Sequence, residues 1–208
     1  SKRDEYSSSP WDVSTVVRLK EKGFTDGAIN CTVLGLNNAR QLALFHLWPK
    51  TYHSQSDRSP IRENLEQLLT ALAAEGEKIQ GLIAGGWAKD NPDSFSGEDV
   101  PDSYNLFHYL QEQLIDLGLD LSLVSRIRGR KKQKRGLDAS SDLYYLAQQD
   151  TWYLRAGKRN SKDALLTEEA LKAVFDDVYI AHGDELIDLY HPQRKALLEE
   201  AEKLKAKN

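Results

Sequence analysis

AINCTVLGL (28–36) and QLALFHLW (41–48) are two apolar runs separated by Asn37-Asn38-Ala39-Arg40. Asparagine tolerates left-handed backbone angles, so the four polar residues read as the tight turn of a β-hairpin. Both faces of both runs are largely apolar, as expected of strands buried within a layered protein. A two-residue loop at Asn38-Ala39 would set Cys31 directly opposite His46, with Cβ atoms roughly 4.5–5.5 Å apart. A thiol and an imidazole at that range share a proton, and the thiolate so formed is a nucleophile. A one-residue slip would send the two side chains to opposite faces. The competing reading is plain packing, because cysteine is among the most buried residue types.

Outward from the hairpin, the order of elements is that of an α/β (α+β) protein. Trp11 to Lys22 reads as a short strand or helix, and Pro49 ends the second hairpin strand, with polar loop at 50–59. Ser59-Pro60 supplies a cap and a first-turn proline for a helix whose apolar face is Ile61, Leu65, Leu68, Leu69 and Leu72, stopped by Gly76. KIQGLIAGGW (78–87) reads as a strand leading into a glycine turn, and 90–102 as a loop. A second amphipathic helix is expected from about Ser103 to Leu117, then a strand in LDLSLVSRI (119–127) and short strands near 142–147 and 151–155. From Thr167 onward, EEALKAVFDDVYIAH and RKALLEEAEKLKAK read as helices. The expected architecture is a layered sandwich with a mixed β-sheet core flanked by helices, plus a C-terminal helical extension. The boundaries are a disordered lead-in at 1–10, a domain over 11–160 and the extension over 161–208.

Composition narrows the function classes. The chain has 208 residues, 40% hydrophobic and 29% charged, as in ordinary globular proteins. A net charge of −4 argues against a generally basic nucleic-acid binder. No apolar run reaches the length of a membrane span, and the opening SKRDEYSSSP lacks the apolar segment of a signal peptide. Methionine is absent, so a processed or trimmed start is expected. With one cysteine, neither an internal disulfide nor a cysteine-rich metal site is possible, and a reducing cytosol is the natural setting.

RIRGRKKQKR (126–135) concentrates seven basic residues. It reads as a solvated loop between strands, with docking of an acidic partner or anionic lipid as the functional alternative. Nucleic acid is disfavoured because the run carries no interleaved aromatics. His53, His108, His182 and His191 lack carboxylates at ligand spacing and read as surface or structural residues. Trp11, Trp48, Trp87 and Trp152 read as core or rim. Gly85-Gly86 marks either a close backbone approach or a tight turn.

Taken in order, these features resemble the CheD-type chemoreceptor glutamine deamidases and, more distantly, the catalytic domain of cytotoxic necrotizing factor toxins. Thr25 precedes Cys31 by six residues, His46 stands on the second hairpin strand, and Leu47-Trp48-Pro49 follows. Then come the helix PIRENLEQLLTALAAEG, Gly85-Gly86, a helix with Asn105, LDLSLVSRI and TWYLRAG. The likeness spans Thr25 to about Gly157. It departs at Asn30, where the family often has glycine or serine, at RGRKK in place of a glycine pair, and beyond about Asn160.

The resemblance implies hydrolysis of a protein glutamine side chain to glutamate and ammonia. Cys31 would be the nucleophile, His46 the acid and base, and Thr25 the residue whose oxygen orients the imidazole. No cofactor or metal is implied. The setting would be a bacterial cytoplasm, or a host cytosol entered as a virulence effector or toxin. The same thiol–imidazole pair also suits transglutamination or cysteine proteolysis, and the same fold could serve as a non-catalytic binding module.

Overall fold

The computed structural model describes residues 16–18, 22–28, 31–74, 78–89, 99–131, 139–146, 151–158, 169, 171–172, 175–181 and 185–187. The lead-in at 1–10, Trp11, Gly76, His182, His191 and the basic residues beyond Lys131 lie outside them, as does the helix expected at 194–207.

The hairpin is present, as β3 (Thr32–Asn37) and β4 (Gln41–Leu47). Around it β1 (Val16–Arg18), β5 (Gln80–Trp87), β6 (Val124–Arg130) and β9 (Phe175–Tyr179) complete a six-stranded sheet in the order β1-β4-β3-β5-β6-β9. Only β5 and β6 among these neighbours run parallel, so the sheet is mixed. Helix α2 (Asp99–Asp116) joins that parallel pair, as a crossover must. A second sheet runs β10 (Glu185–Ile187), β8 (Thr151–Lys158), β7 (Ala139–Leu146), β2 (Lys22–Ala28).

Side-chain alternation turns these strands into three layers. Leu34, Leu36, Ala43, Phe45 and Ile83 face one way and bury against α1 (Gln55–Ala73) and α2, through Leu65, Leu68, Phe107 and Leu110. Val33, Leu42, Leu44, Leu82 and Ala84 face the other way and bury against Trp152 and Leu154 of the second sheet. Helices, mixed sheet and second sheet thus stack as a layered α+β sandwich, with an apolar layer on each side of the central sheet.

Two details fix the stack. Gly35 leaves room for the Trp152 ring, since a Cβ there would stand 2.2 Å from it. The buried Trp152 indole donates to Asn37 Oδ1 at 2.7 Å, so the ring is oriented as well as enclosed.

The expected apolar face of α1 is the buried one, all five residues included. Its start is earlier than Ser59. Ser54 caps the helix in a capping box with Asp57, which leaves Pro60 inside the helix and turns the second half of the expected loop into helix. Pro49–Tyr52 is a 3-10 turn. α2 likewise begins before Ser103.

The C-terminal helical extension needs correction where it is described. Only Glu169, Leu171 and Lys172 have helical backbone there. Phe175–Tyr179 is an edge strand antiparallel to β6, and Glu185–Ile187 pairs parallel with β8. Leu171, Phe175 and Val178 recur at helical spacing, but that spacing arises across a helix–strand junction. All three bury between the sheets, so this part of the chain belongs to the body of the fold.

Candidate functional site

Cys31 sits at the entrance to β3, immediately before Thr32. Its neighbour across the sheet is the end of β5, where Gly86 N–H donates to the Cys31 carbonyl at 3.1 Å. Gly85 and Gly86 both take positive φ, 115° and 71°. A Cβ on Gly85 would lie 2.3 Å from the Cys31 carbonyl oxygen, so the pair is a close backbone approach within a strand, and the expected glycine turn is not formed there. The carboxyl ends of the parallel strands β5 and β6 meet at this edge. In open α/β sheets that edge is the common place for a ligand site.

The register of the hairpin differs from the expected one. Asn38 N–H donates to Gln41 O at 3.1 Å, which makes Ala39-Arg40 the two-residue loop in place of Asn38-Ala39. Val33 is therefore the residue opposite His46. The cause is the Asn38 side chain, whose Oδ1 accepts from Arg40 N at 2.8 Å and Gln41 N at 2.6 Å. Its Nδ2 donates to Leu72 O at 2.8 Å, tying the turn to one of the orphan carbonyls of α1.

The displacement equals one full strand period, so Cys31 and His46 keep to the same face of the sheet, the one toward the second sheet. They become diagonal neighbours with a backbone separation of about 7–8 Å, in place of the directly opposed pair that was expected. Cys31 is 7% exposed and belongs to the inter-sheet apolar cluster. His46 is half-buried. Trp48, just past the end of β4, is 37% exposed and stands at the rim. Thr25 stands on β2 in the second sheet, opposite Leu143 at the beginning of a register irregularity, and β2 runs beside β4. The strand that carries Thr25 and the strand that carries His46 are thus neighbours across the two sheets.

The basic run departs further from expectation. Residues 126–130 belong to β6 and form no solvated loop. Arg126 and Arg128 are half-buried, and Arg130 is 5% exposed. Aromatic rings from other elements pack on them: Tyr179 at 4.5 Å from Arg126 Cζ, Tyr104 at 4.3 Å from Arg128 Cζ, and Phe175 at 5.5 Å from Arg130 Cζ. Such stacking is worth roughly 0.5–2 kcal/mol per pair. The period-two spacing of arginines at 126, 128 and 130 was the strand signal in the sequence. Gly129, with φ 79°, interrupts the alternation before Arg130.

Elsewhere, His53 bonds Asp102 at 3.0 Å and His108 bonds Glu112 at 3.0 Å, both on the surface. Trp87 and Trp152 are core. Among the described residues no three His, Cys, Asp or Glu side chains converge as a metal ion would need. No described helix is long and apolar enough to cross a membrane. An open depression beside Glu63, Glu66 and Thr70 lies on the solvent side of α1, across the central sheet from Cys31. Searches against protein-family models and curated proteins return no match to this chain.

Proposed function

We propose that the protein is a cysteine hydrolase that deamidates a glutamine side chain of a protein substrate. The observation that carries the reading is the placement of Cys31 at the entrance to β3, on the face that His46 of the neighbouring β4 shares, beside the glycine pair at the carboxyl end of β5. His46 takes the thiol proton and Cys31 Sγ attacks the carboxamide carbon, forming a tetrahedral oxyanion. The protonated imidazole then gives its proton to the departing ammonia, and a thioester remains. Water, deprotonated by His46, attacks the thioester and releases glutamate and the thiol. Thr25 would orient the imidazole from β2. The oxyanion requires backbone N–H donors near Cys31 other than that of Gly86, which already serves the Cys31 carbonyl.

Incubation with a glutamine-bearing protein substrate should release ammonia and raise the substrate mass by about 1 dalton per site, since NH2 is exchanged for OH through the thioester. Cys31→Ala should abolish both signals. Activity retained in that variant would overturn the assignment.

The enclosure of Cys31 in apolar packing favours a second reading, a binding module in which the thiol is a core residue. Iodoacetamide separates the two. A paired thiolate alkylates well below pH 8, whereas a packing thiol reacts slowly, with an ordinary apparent pKa of about 8.5 or above.

A further inference from the structure

The helix-facing side of the central sheet carries a strip of β6 and β9 next to the N-terminal half of α2. Arg126 and Arg128 alternate along β6 with Ile127, which points into the inter-sheet core, so both guanidinium groups share the helix-facing side. Arg126 lies over Tyr179 of β9, and Arg128 over Tyr104 of α2. The Tyr179 hydroxyl donates to Ser122 O at 2.9 Å, and the residue is 37% exposed. Nε of each arginine is buried without a hydrogen-bond partner, and among the described residues no carboxylate pairs with either group. Two like charges are thus held half-buried on aromatic faces. Stacking fixes the guanidinium planes and leaves their outer N–H groups for oxygen acceptors.

We propose that this strip binds an extended acidic segment of a partner protein, whose carboxylates at alternate positions meet Arg126 and Arg128. Residues two apart on a strand are separated by about 6.7 Å, which is also the spacing of alternate side chains on an extended peptide. Exposed Asp177 stands opposite Arg128 and Asp176 is exposed beside it. Together with the net charge of −4, these acids repel any anion in proportion to the charge it brings, which favours a segment presenting two carboxylates over a long polyphosphate chain. The inference rests on the deamidase reading only in taking that segment as part of the substrate. Binding is measured without turnover, so the two can fail separately.

The test uses the full chain and a fluorescein-labelled peptide of alternating glutamate and threonine, followed by anisotropy at low salt. Saturable binding is expected, weakened about tenfold or more in an Arg126→Gln/Arg128→Gln double variant. Asp177→Asn, an exposed change that leaves the core intact, should tighten it. In the wild-type chain the Tyr104 and Tyr179 ring resonances should shift during titration, a readout that stands even if the double variant misfolds. The proposal is overturned by absence of saturable binding, by Tyr104 and Tyr179 resonances that stay fixed while peptide binds, or by tighter binding of a labelled oligo-thymidylate than of the peptide.

Discussion

His46 faces Val33 across the β3–β4 ladder, and Cys31 lies one strand period away on the same side of the sheet. This relationship is set from the far end of the hairpin. Asn38 folds its side chain over the turn and at the same time reaches the C-terminal part of α1, so loop length, register and helix position are specified together.

Asn38→Ala should therefore do more than loosen a turn. It removes acceptors for two backbone N–H groups and a donor to Leu72 O at a site that is 3% exposed. A loss of roughly 1–3 kcal/mol is expected from urea unfolding. Alkylation of Cys31 in the folded variant should change as well, because a shifted register moves His46 relative to the thiol. An Asn38→Ala protein with unchanged stability would remove the turn as the origin of the register.

The contact between the two sheets makes a second prediction. Gly35→Ala drives a methyl group into the Trp152 ring and should cost about 1–3 kcal/mol, since overpacking displaces a fully enclosed side chain. Trp152→Phe keeps an aromatic ring but takes away the indole donor to Asn37 Oδ1, with a cost of about 1–3 kcal/mol. The two changes act on one contact, so combining them should cost less than the sum of the separate effects.

Tyr109 predicts the alkaline behaviour of the helical layer. Burial pushes its phenol above the ordinary value of 10, a rise opposed by the nearby Arg58 and Arg62. Its hydroxyl donates to Arg58 O at 3.3 Å, and its ring meets Tyr52 edge-on. The folded state holds this proton more tightly than the unfolded chain. The corresponding stability is fully present below pH 10 and is lost as pH rises through the folded pKa. Tyr109→Phe should flatten that part of the loss in denaturation midpoints measured from pH 9 to 11.5. An unchanged slope would show that other groups dominate there.

The hairpin and the buried stripe of α1 were legible because they are repeating patterns: apolar runs about a polar turn, and Ile61, Leu65, Leu68, Leu69 and Leu72 at helical spacing. The register was not, because Asn37-Asn38-Ala39-Arg40 admits more than one two-residue loop. The choice depends on a bond from Asn38 to Leu72, 34 residues away. β9 was hidden for a similar reason. FDDVY has two acidic residues between its buried positions, and only pairing with β6 makes it a strand. Arg126, Arg128 and Arg130 read as loop because charge suggests solvent, while the rings that shelter them come from α2 and β9. Of the expected pair, only the shared face of Cys31 and His46 could be read in advance. The offset between them and the tight seat on Gly85 could not.

Gly85 offers the sharpest link between fold and chemistry. At φ 115° a side chain is strained, and a Cβ would meet the Cys31 carbonyl oxygen at 2.3 Å, a backbone atom that cannot swing aside. Gly85→Ala should cost about 1–3 kcal/mol from the backbone conformation alone. The clash adds to this by pushing the entrance of β3 away from β5. Activity should fall more steeply than stability, because the displaced atom belongs to the residue proposed as nucleophile and catalysis is sensitive to shifts of about 1 Å. Gly81→Ala is the control: it also crowds a β3 carbonyl, that of Gly35, but near the opposite end of the same strand pair. If both variants lose stability and ammonia release in the same proportion, the glycine at 85 serves packing alone. If Gly85→Ala loses deamidation at a temperature where it remains folded while Gly81→Ala keeps it, the close approach to Cys31 is part of the catalytic arrangement.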